Sequence, residues 1–253
     1  MTLADIAQWR RGAPALAGEL AAEWGLTLGE PYVPGTCGYA VRAALADGTP
    51  VVLKLWWPHR EAEQEADALE RWGGDGAVRL LRRDDERNAL LLERCEPGTF
   101  LSEDSGDRLG VLIELLPRLW KDATGFRTLA DEVEWWSLDG ELGELARELA
   151  ATQGELVLVH QDLHGENVLA AEREPWLVID PKPLAAEREF AIAPVVRGSE
   201  LGHSKRAVLY RLDRLCAELG LDRERARGWT TVQTVAWSED AAVDLPEVVE
   251  WLR

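Results

Sequence analysis

The chain has 253 residues, 46% hydrophobic and 29% charged, which allows one large domain or two small lobes with a buried core and excludes a disordered chain. Its 28 basic and 46 acidic residues leave a formal net charge of −18, which disfavours nucleic acid and anionic membranes as partners and suits cationic ones. No apolar run reaches membrane-spanning length, no signal-like segment precedes Asp5 and Arg10, and Cys37, Cys95 and Cys216 fit neither a disulfide framework nor a zinc site, so a cytoplasmic protein without an obligate protein partner is expected.

Residues 3–25 read as a helix ending near Gly25. Strand, glycine-containing loop and strand come next over 31–45, with Gly35 and Gly38 in the loop, and Asp47-Gly48 marks a hairpin turn. Pro50–Trp56 reads as a strand with one intruder, Lys54. A helix over 59–72 stops at Gly73-Gly74, and short strands over 78–82 and 88–93 flank the charged turn 83–87. That makes about five strands and one inserted helix. Pro97 and Gly98 then break the pattern. The remainder of the chain is mostly helical, over 104–124, 139–153, 204–219 and 223–239, with one β segment over 156–180. The chain thus divides into lobes 1–96 and 97–253.

The informative stretch is His160-Gln161-Asp162-Leu163-His164-Gly165-Glu166-Asn167, continued by two short apolar strands about the turn 172–175 and closed by Asp180. In an antiparallel hairpin Asn167 and Asp180 fall at the same end, and Asp162 lies in the loop just before. Asn167 and Asp180 suit Mg²⁺, which takes one or two protein oxygens and leaves its other positions to water and phosphate. Asp162 then remains to accept a proton. A surface hairpin with ordinary turn acids is the plainer reading. His160, His164 and Asp162 have no spacing that matches a zinc site.

Lys54 gives an independent test, because an unpaired ammonium inside an apolar strand is costly. In the next helix Ala62, Glu65, Leu69 and Trp72 share one face, so Glu65 points inward and needs a cation. Glu61 lies on a neighbouring part of that face and competes for the role. Glu63 points away.

These segments resemble the protein-kinase-like fold. The stretch His160–Pro183, together with 76–81, 90–94 and 221–229, resembles the streptomycin 6-kinase and hydroxyurea phosphotransferase branch of the aminoglycoside phosphotransferases. That resemblance implies an α+β, bilobal fold: a five-stranded antiparallel nucleotide-binding N-lobe with one helix, and a mainly helical C-lobe that carries the catalytic hairpin and binds the acceptor. It implies phosphoryl transfer from ATP to a hydroxyl of a small molecule. Asp162 becomes the catalytic base and His160 orients its loop. Asn167 and Asp180 hold Mg²⁺, and Lys54, held by Glu65, meets the phosphates. Gly35 and Gly38 would cradle phosphate, and the backbone from Glu93 to Cys95 would meet adenine.

The family also implies a cationic aminoglycoside as acceptor, for which Glu187, Glu189, Glu239 and Asp240 are candidate contacts and Trp237 a candidate lining residue. A sugar or hydroxyurea-like acceptor, or a nucleotide-binding pseudokinase, are the alternatives. Three departures stand out: Gln161 in place of a common glycine, Ala191 where many relatives carry Asp, and a shorter stretch between Trp120 and Leu156.

Overall fold

The computed structural model describes residues 3–33, 37–237 and 245–253. Helix α1 (Leu3–Trp24) lies across one face of a five-stranded antiparallel sheet, ordered β1-β2-β3-β5-β4. The strands are β1 (Thr27–Pro31), β2 (Gly38–Ala44), β3 (Pro50–Trp56), β4 (Leu80–Asp84) and β5 (Ala89–Glu93). Strand alternation decides what each face receives. Leu53 and Leu55 are fully buried in a cluster with Ala13, Ala17 and Leu20 of α1. Lys54, between them, points to the other face.

Helix α2 (Glu65–Trp72) covers that other face, burying Glu65, Ala66, Leu69 and Trp72. Gly73 adopts φ +58 and its N–H bonds Leu69 O at 3.0 Å, the left-handed cap that the Gly73-Gly74 pair predicts. The helix starts six residues later than the sequence suggests. Residues 60–62 form a single 3-10 turn instead, because Arg60 and Gln64 are drawn onto the second lobe. Arg60 Nε donates to Glu132 Oε2 at 3.1 Å and Gln64 Nε2 to Gly125 O at 2.9 Å.

The second lobe contains α3 (Arg108–Leu119), α4 (Leu129–Trp136), α5 (Gly140–Ala151), α6 (Arg188–Ala191), α7 (Ala193–Arg197), α8 (Lys205–Leu219), α9 (Arg223–Ala236) and α10 (Leu245–Leu252). Side-chain oxygens of Asp107, Ser204 and Asp222 cap α3, α8 and α9, and Thr128 with Asp131 forms a capping box on α4. The Thr-x-x-Asp signal at 128–131 marks α4 in the sequence, but a helix of eight residues is too short for a clear apolar period.

The single β segment expected over 156–180 is divided between two small sheets. Strands β6 (Pro97–Phe100), β8 (Val168–Ala171) and β9 (Trp176–Val178) form one, and β7 (Val157–Val159) pairs with β10 (Leu184–Ala186) in the other. Pro97 therefore begins a strand as well as ending a pattern, which an edge position tolerates because no ladder N–H is needed there. Val78, expected to open the strand over 78–82, pairs instead with β9 of the second lobe, as does Gly76: Val78 N bonds Val178 O at 3.0 Å and Val178 N bonds Gly76 O at 2.9 Å.

Arg173, at the tip of the β8–β9 hairpin, reinforces this seam. It clasps Glu93 with two bonds of 2.8 and 2.9 Å and also donates to Gly74 O and Ala77 O. One apolar core runs from α2 and β5 through β7–β10 to α8 and α9, so the two lobes share packing behind the cleft.

Candidate active site

The β8–β9 register, Val168 opposite Val178, puts Asn167 and Asp180 at one end of the hairpin, and Ile179 N bonds Asn167 O at 2.9 Å. Lys54 faces this end from the first lobe. Its ammonium donates to Glu65 Oε1 at 2.5 Å and to Asp180 Oδ1. Burial works against the charge on Lys54, but Asp180 and Glu65 outweigh it and hold its pKa above the ordinary value. The Lys54 charge holds Asp180 down at about 2, and burial pushes Glu65 up to about 7 against the pull of Lys54. Glu65 is thus the partner of Lys54. Glu61 faces Lys182 instead, at 3.5 Å.

His160 joins the two acid-bearing segments. Its Nε2 donates to Ile179 O at 2.9 Å, next to Asp180, and its Nδ1 accepts from Asp162 N at 3.3 Å. The ring stacks on Trp72 of α2, with centroids 6.3 Å apart, and burial lowers its pKa to about 4. Both nitrogens are committed only in the neutral tautomer, so protonation breaks the bond to Asp162 N.

The unfolded chain binds this proton from about pH 6.5, the folded chain only near 4. The His160 contribution is therefore fully present above pH 6.5 and lost as pH falls toward 4, worth at most about 3 kcal/mol. Melting temperatures measured from pH 7 to pH 4 should fall more steeply for the native chain than for His160→Gln. Parallel curves would show that His160 does not titrate in this way.

Two residues of the site hold left-handed backbone without being glycine: Gln161 at φ +64 and Asp180 at φ +55. The first is the physical reason glycine suits position 161. Here Gln161 is fully buried, and Gln233 of α9 donates to its carbonyl at 3.0 Å. Gly165 is fixed by packing, since a Cβ would lie 2.9 Å from the Ser102 backbone N. Asn167 Nδ2 donates to Asp162 O at 2.8 Å, which ties the proposed base to the proposed metal ligand.

Other candidates fall elsewhere. Glu187 is buried, accepting from Arg225 Nε at 2.6 Å, Gly154 N at 3.1 Å and the Trp229 indole, so it cannot meet an acceptor. Glu189 accepts from Asp222 N at 3.3 Å, at the start of α9. Gly35, Glu239 and Asp240 lie outside the described residues. Gly38 is the first residue of β2, paired with Trp56. The Glu93 carboxylate is taken by Arg173 and its N–H by Arg79 O at 2.9 Å. Cys95 is buried, which pushes its thiol up to about 12.

Residues that the sequence pattern does not place together gather here: Lys182 and Arg197 face Asp162, and the Trp237 ring packs against both cations. A signal for the first exists. In a chain whose cations are nearly all arginine, a lysine stands between Pro181 and Pro183, two residues after Asp180.

Among the described residues no group of three His, Cys, Asp or Glu side chains could cage a metal. The donor set is one amide and one carboxylate, Asn167 and Asp180, with Asp180 53% exposed toward the cleft. That chemistry fits Mg²⁺, which keeps water and phosphate oxygens as its other ligands. No helix among the described residues is long and apolar enough to cross a membrane.

Comparison with known proteins agrees with this geometry. Residues 26–243 match the family described as aminoglycoside/hydroxyurea antibiotic resistance kinase. A hydroxyurea phosphotransferase of Kitasatospora aureofaciens is 40% identical over 264 aligned residues, covering 93% of this chain and 76% of the relative. A streptomycin 6-kinase of Streptomyces griseus is 38% identical, covering 90% and 84%. Among solved structures, the choline kinase LicA from Streptococcus pneumoniae superposes with a TM-score of 0.67 at 14% identity, over 96% of this chain and 99% of that one. The shared architecture is the protein-kinase-like fold.

Proposed function

This chain belongs to the aminoglycoside/hydroxyurea antibiotic resistance kinase family, and on that premise we propose that it transfers the γ-phosphate of ATP to a hydroxyl of a streptomycin-like aminoglycoside and so inactivates the antibiotic in the cytoplasm. The observation that carries this reading is the meeting of Lys54, Glu65 and Asp180 across the cleft, with Asp162 held beside them through His160. The division of labour matches the lobes: residues 1–96 hold the nucleotide, residues 97–253 supply the base and bind the acceptor.

Phosphoryl transfer asks little covalent chemistry of a protein and much alignment and charge neutralisation. Lys54, oriented by Glu65, places a fixed positive charge against the nucleotide phosphates. Asn167 and Asp180 would hold Mg²⁺, which when bound neutralises phosphate charge and screens Asp180 from it. Asp162 takes the proton of the acceptor hydroxyl as that oxygen bonds to the γ-phosphorus. The bond from phosphorus to the bridging oxygen breaks, and its electron pair leaves with ADP. His160 stays neutral and keeps the Asp162 loop in register with Asp180.

The acidity of the chain fits a polycationic acceptor, whose encounter it favours. ADP formation should depend on added streptomycin when ATP and Mg²⁺ are present, and mass spectrometry should show a monophosphorylated product. Hydroxyurea, other aminoglycosides and simple sugars serve as comparison acceptors. Acceptor-dependent turnover with one of those and none with streptomycin would overturn the assignment of the acceptor. No acceptor-dependent ADP with any would overturn the kinase reading of the site.

A further inference from the structure

The Asp162 carboxylate faces two cations and an imidazole. Lys182 Nζ lies 3.0 Å from Oδ2, while His164 Nε2 and Arg197 Nη2 lie 3.8 and 4.0 Å from Oδ1. Lys182 Nζ and Arg197 Cζ each sit 4.8 Å from the centre of the Trp237 ring, a cation–π arrangement that fixes both at one spot. Neither is a solvated surface cation: their side chains are 25% and 14% exposed. Arg197 is the less satisfied of the two. Its Nε is buried with no hydrogen-bond partner, and at 4.0 Å from Asp162 it is beyond hydrogen-bond reach.

This arrangement conflicts with the work asked of Asp162. A carboxylate whose Oδ2 is held by Lys182 is poorly placed to take a proton from a hydroxyl. When an acceptor hydroxyl approaches Asp162, Lys182 needs another anion beside Glu61, which lies 3.5 Å away. Arg197 needs one already, since a buried guanidinium with an unmade hydrogen bond is costly. Phosphoryl transfer brings such an anion to this place, as charge develops on the three oxygens of the group in flight.

We propose that Lys182 and Arg197, held against Trp237, form the seat that receives the transferred phosphoryl group, and that Lys182 passes from Asp162 Oδ2 to a phosphoryl oxygen as the acceptor hydroxyl takes its place on Asp162. This rests on the phosphotransferase reading above. The atoms balance as in that reaction: the acceptor oxygen–phosphorus bond forms, the bond to the ADP oxygen breaks with its electron pair going to ADP, and the proton goes to Asp162. The two cations exchange partners and gain or lose no proton. The first lobe thus holds the part of the nucleotide that leaves, through Lys54, and the second lobe holds the part that is transferred.

The test compares two ligands, ADP–Mg²⁺ alone and ADP–Mg²⁺ with aluminium fluoride, which imitates a phosphoryl group between donor and acceptor. Binding is measured by calorimetry for the native chain, Lys182→Met, Lys182→Arg and Arg197→Lys. The native chain should bind the fluoroaluminate complex at least tenfold more tightly than ADP. Lys182→Met should keep its ADP affinity within about threefold but lose most of that preference, with kcat down on the order of 10²-fold and the KM for ATP little changed. Lys182→Arg should recover part of both, and Arg197→Lys should lie between.

An Asp162 clamp with a merely structural role would lower ADP affinity, fluoroaluminate affinity and melting temperature together. That outcome overturns the proposal, as does a Lys182→Met protein with native preference and kcat, or a native chain with no preference at all. The fluoroaluminate comparison needs no acceptor, so a native chain that shows the preference yet phosphorylates none of the tested compounds would remove the assigned function and leave the seat standing.

Discussion

Asp162→Asn should lower kcat roughly 10²–10⁴-fold while leaving the KM for ATP nearly unchanged. The substitution keeps shape and volume. It leaves the backbone bonds of residue 162 in place, namely Asp162 N to His160 Nδ1 and Asp162 O from Asn167 Nδ2, because neither involves the carboxylate. What it removes is the proposed proton acceptor and the negative charge that Lys182 and Arg197 face. Alignment by Lys54 and Asp180 survives, so some turnover should persist, and a total loss is not expected. Steady-state kinetics with streptomycin and with any other working acceptor provide the measurement. A kcat within a few fold of the native value would show that phosphoryl transfer here proceeds without a carboxylate base and would take Asp162 out of its role.

Asp180→Ala tests a different dependence, since it removes both a proposed metal ligand and a partner of Lys54. Its turnover should fall further than that of Asp162→Asn, and added Mg²⁺ should not restore it. The two variants separate alignment of the nucleotide from handling of the proton.

Much of this site is legible in the sequence because the chemistry that builds it is local or leaves a local conflict. Asn167 and Asp180 converge through a hairpin of two short strands, so their meeting comes from chain geometry alone. Lys54 and Glu65 are legible as a conflict: an ammonium inside an apolar strand and a carboxylate on an apolar helix face each require the other. Legibility ends where a partner comes from a distant element that no period marks. Glu187 reads as an exposed acid near the hairpin, yet Arg225, 38 residues on, reaches back to bury it. The helix expected from residue 59 starts at 65, because Arg60 and Gln64 bond residues of the second lobe over 60 positions away. Lys182 is visible as a residue, but its contact with Asp162 depends on the loop turning through Gln161 at positive φ.

Glu187→Ala should destabilise the fold by about 3–5 kcal/mol and leave the acceptor KM unchanged. The carboxylate is 2% exposed and accepts from three donors on two elements: Arg225 and Trp229 of α9 and the Gly154 backbone after α5. Removing it leaves the Arg225 guanidinium facing Leu149 O and Thr152 with its charge uncompensated, and the fully buried indole N–H of Trp229 without an acceptor. An unpaired buried charge is the costly kind of loss, whereas replacing both partners together can be nearly neutral. For a chain of this length the melting temperature should fall by on the order of 10 °C. Glu187→Gln, which can still accept from the indole, should fall by less. Kinetics below the melting transition give the second readout, because a residue that binds the cationic acceptor would raise its KM when removed. A stable Glu187→Ala protein with a raised acceptor KM would reverse the assignment and return Glu187 to the acceptor pocket. A destabilised one with native KM would place it in the joint between α5 and α9, the packing that supports the loop carrying Gln161 and Asp162 through Gln233.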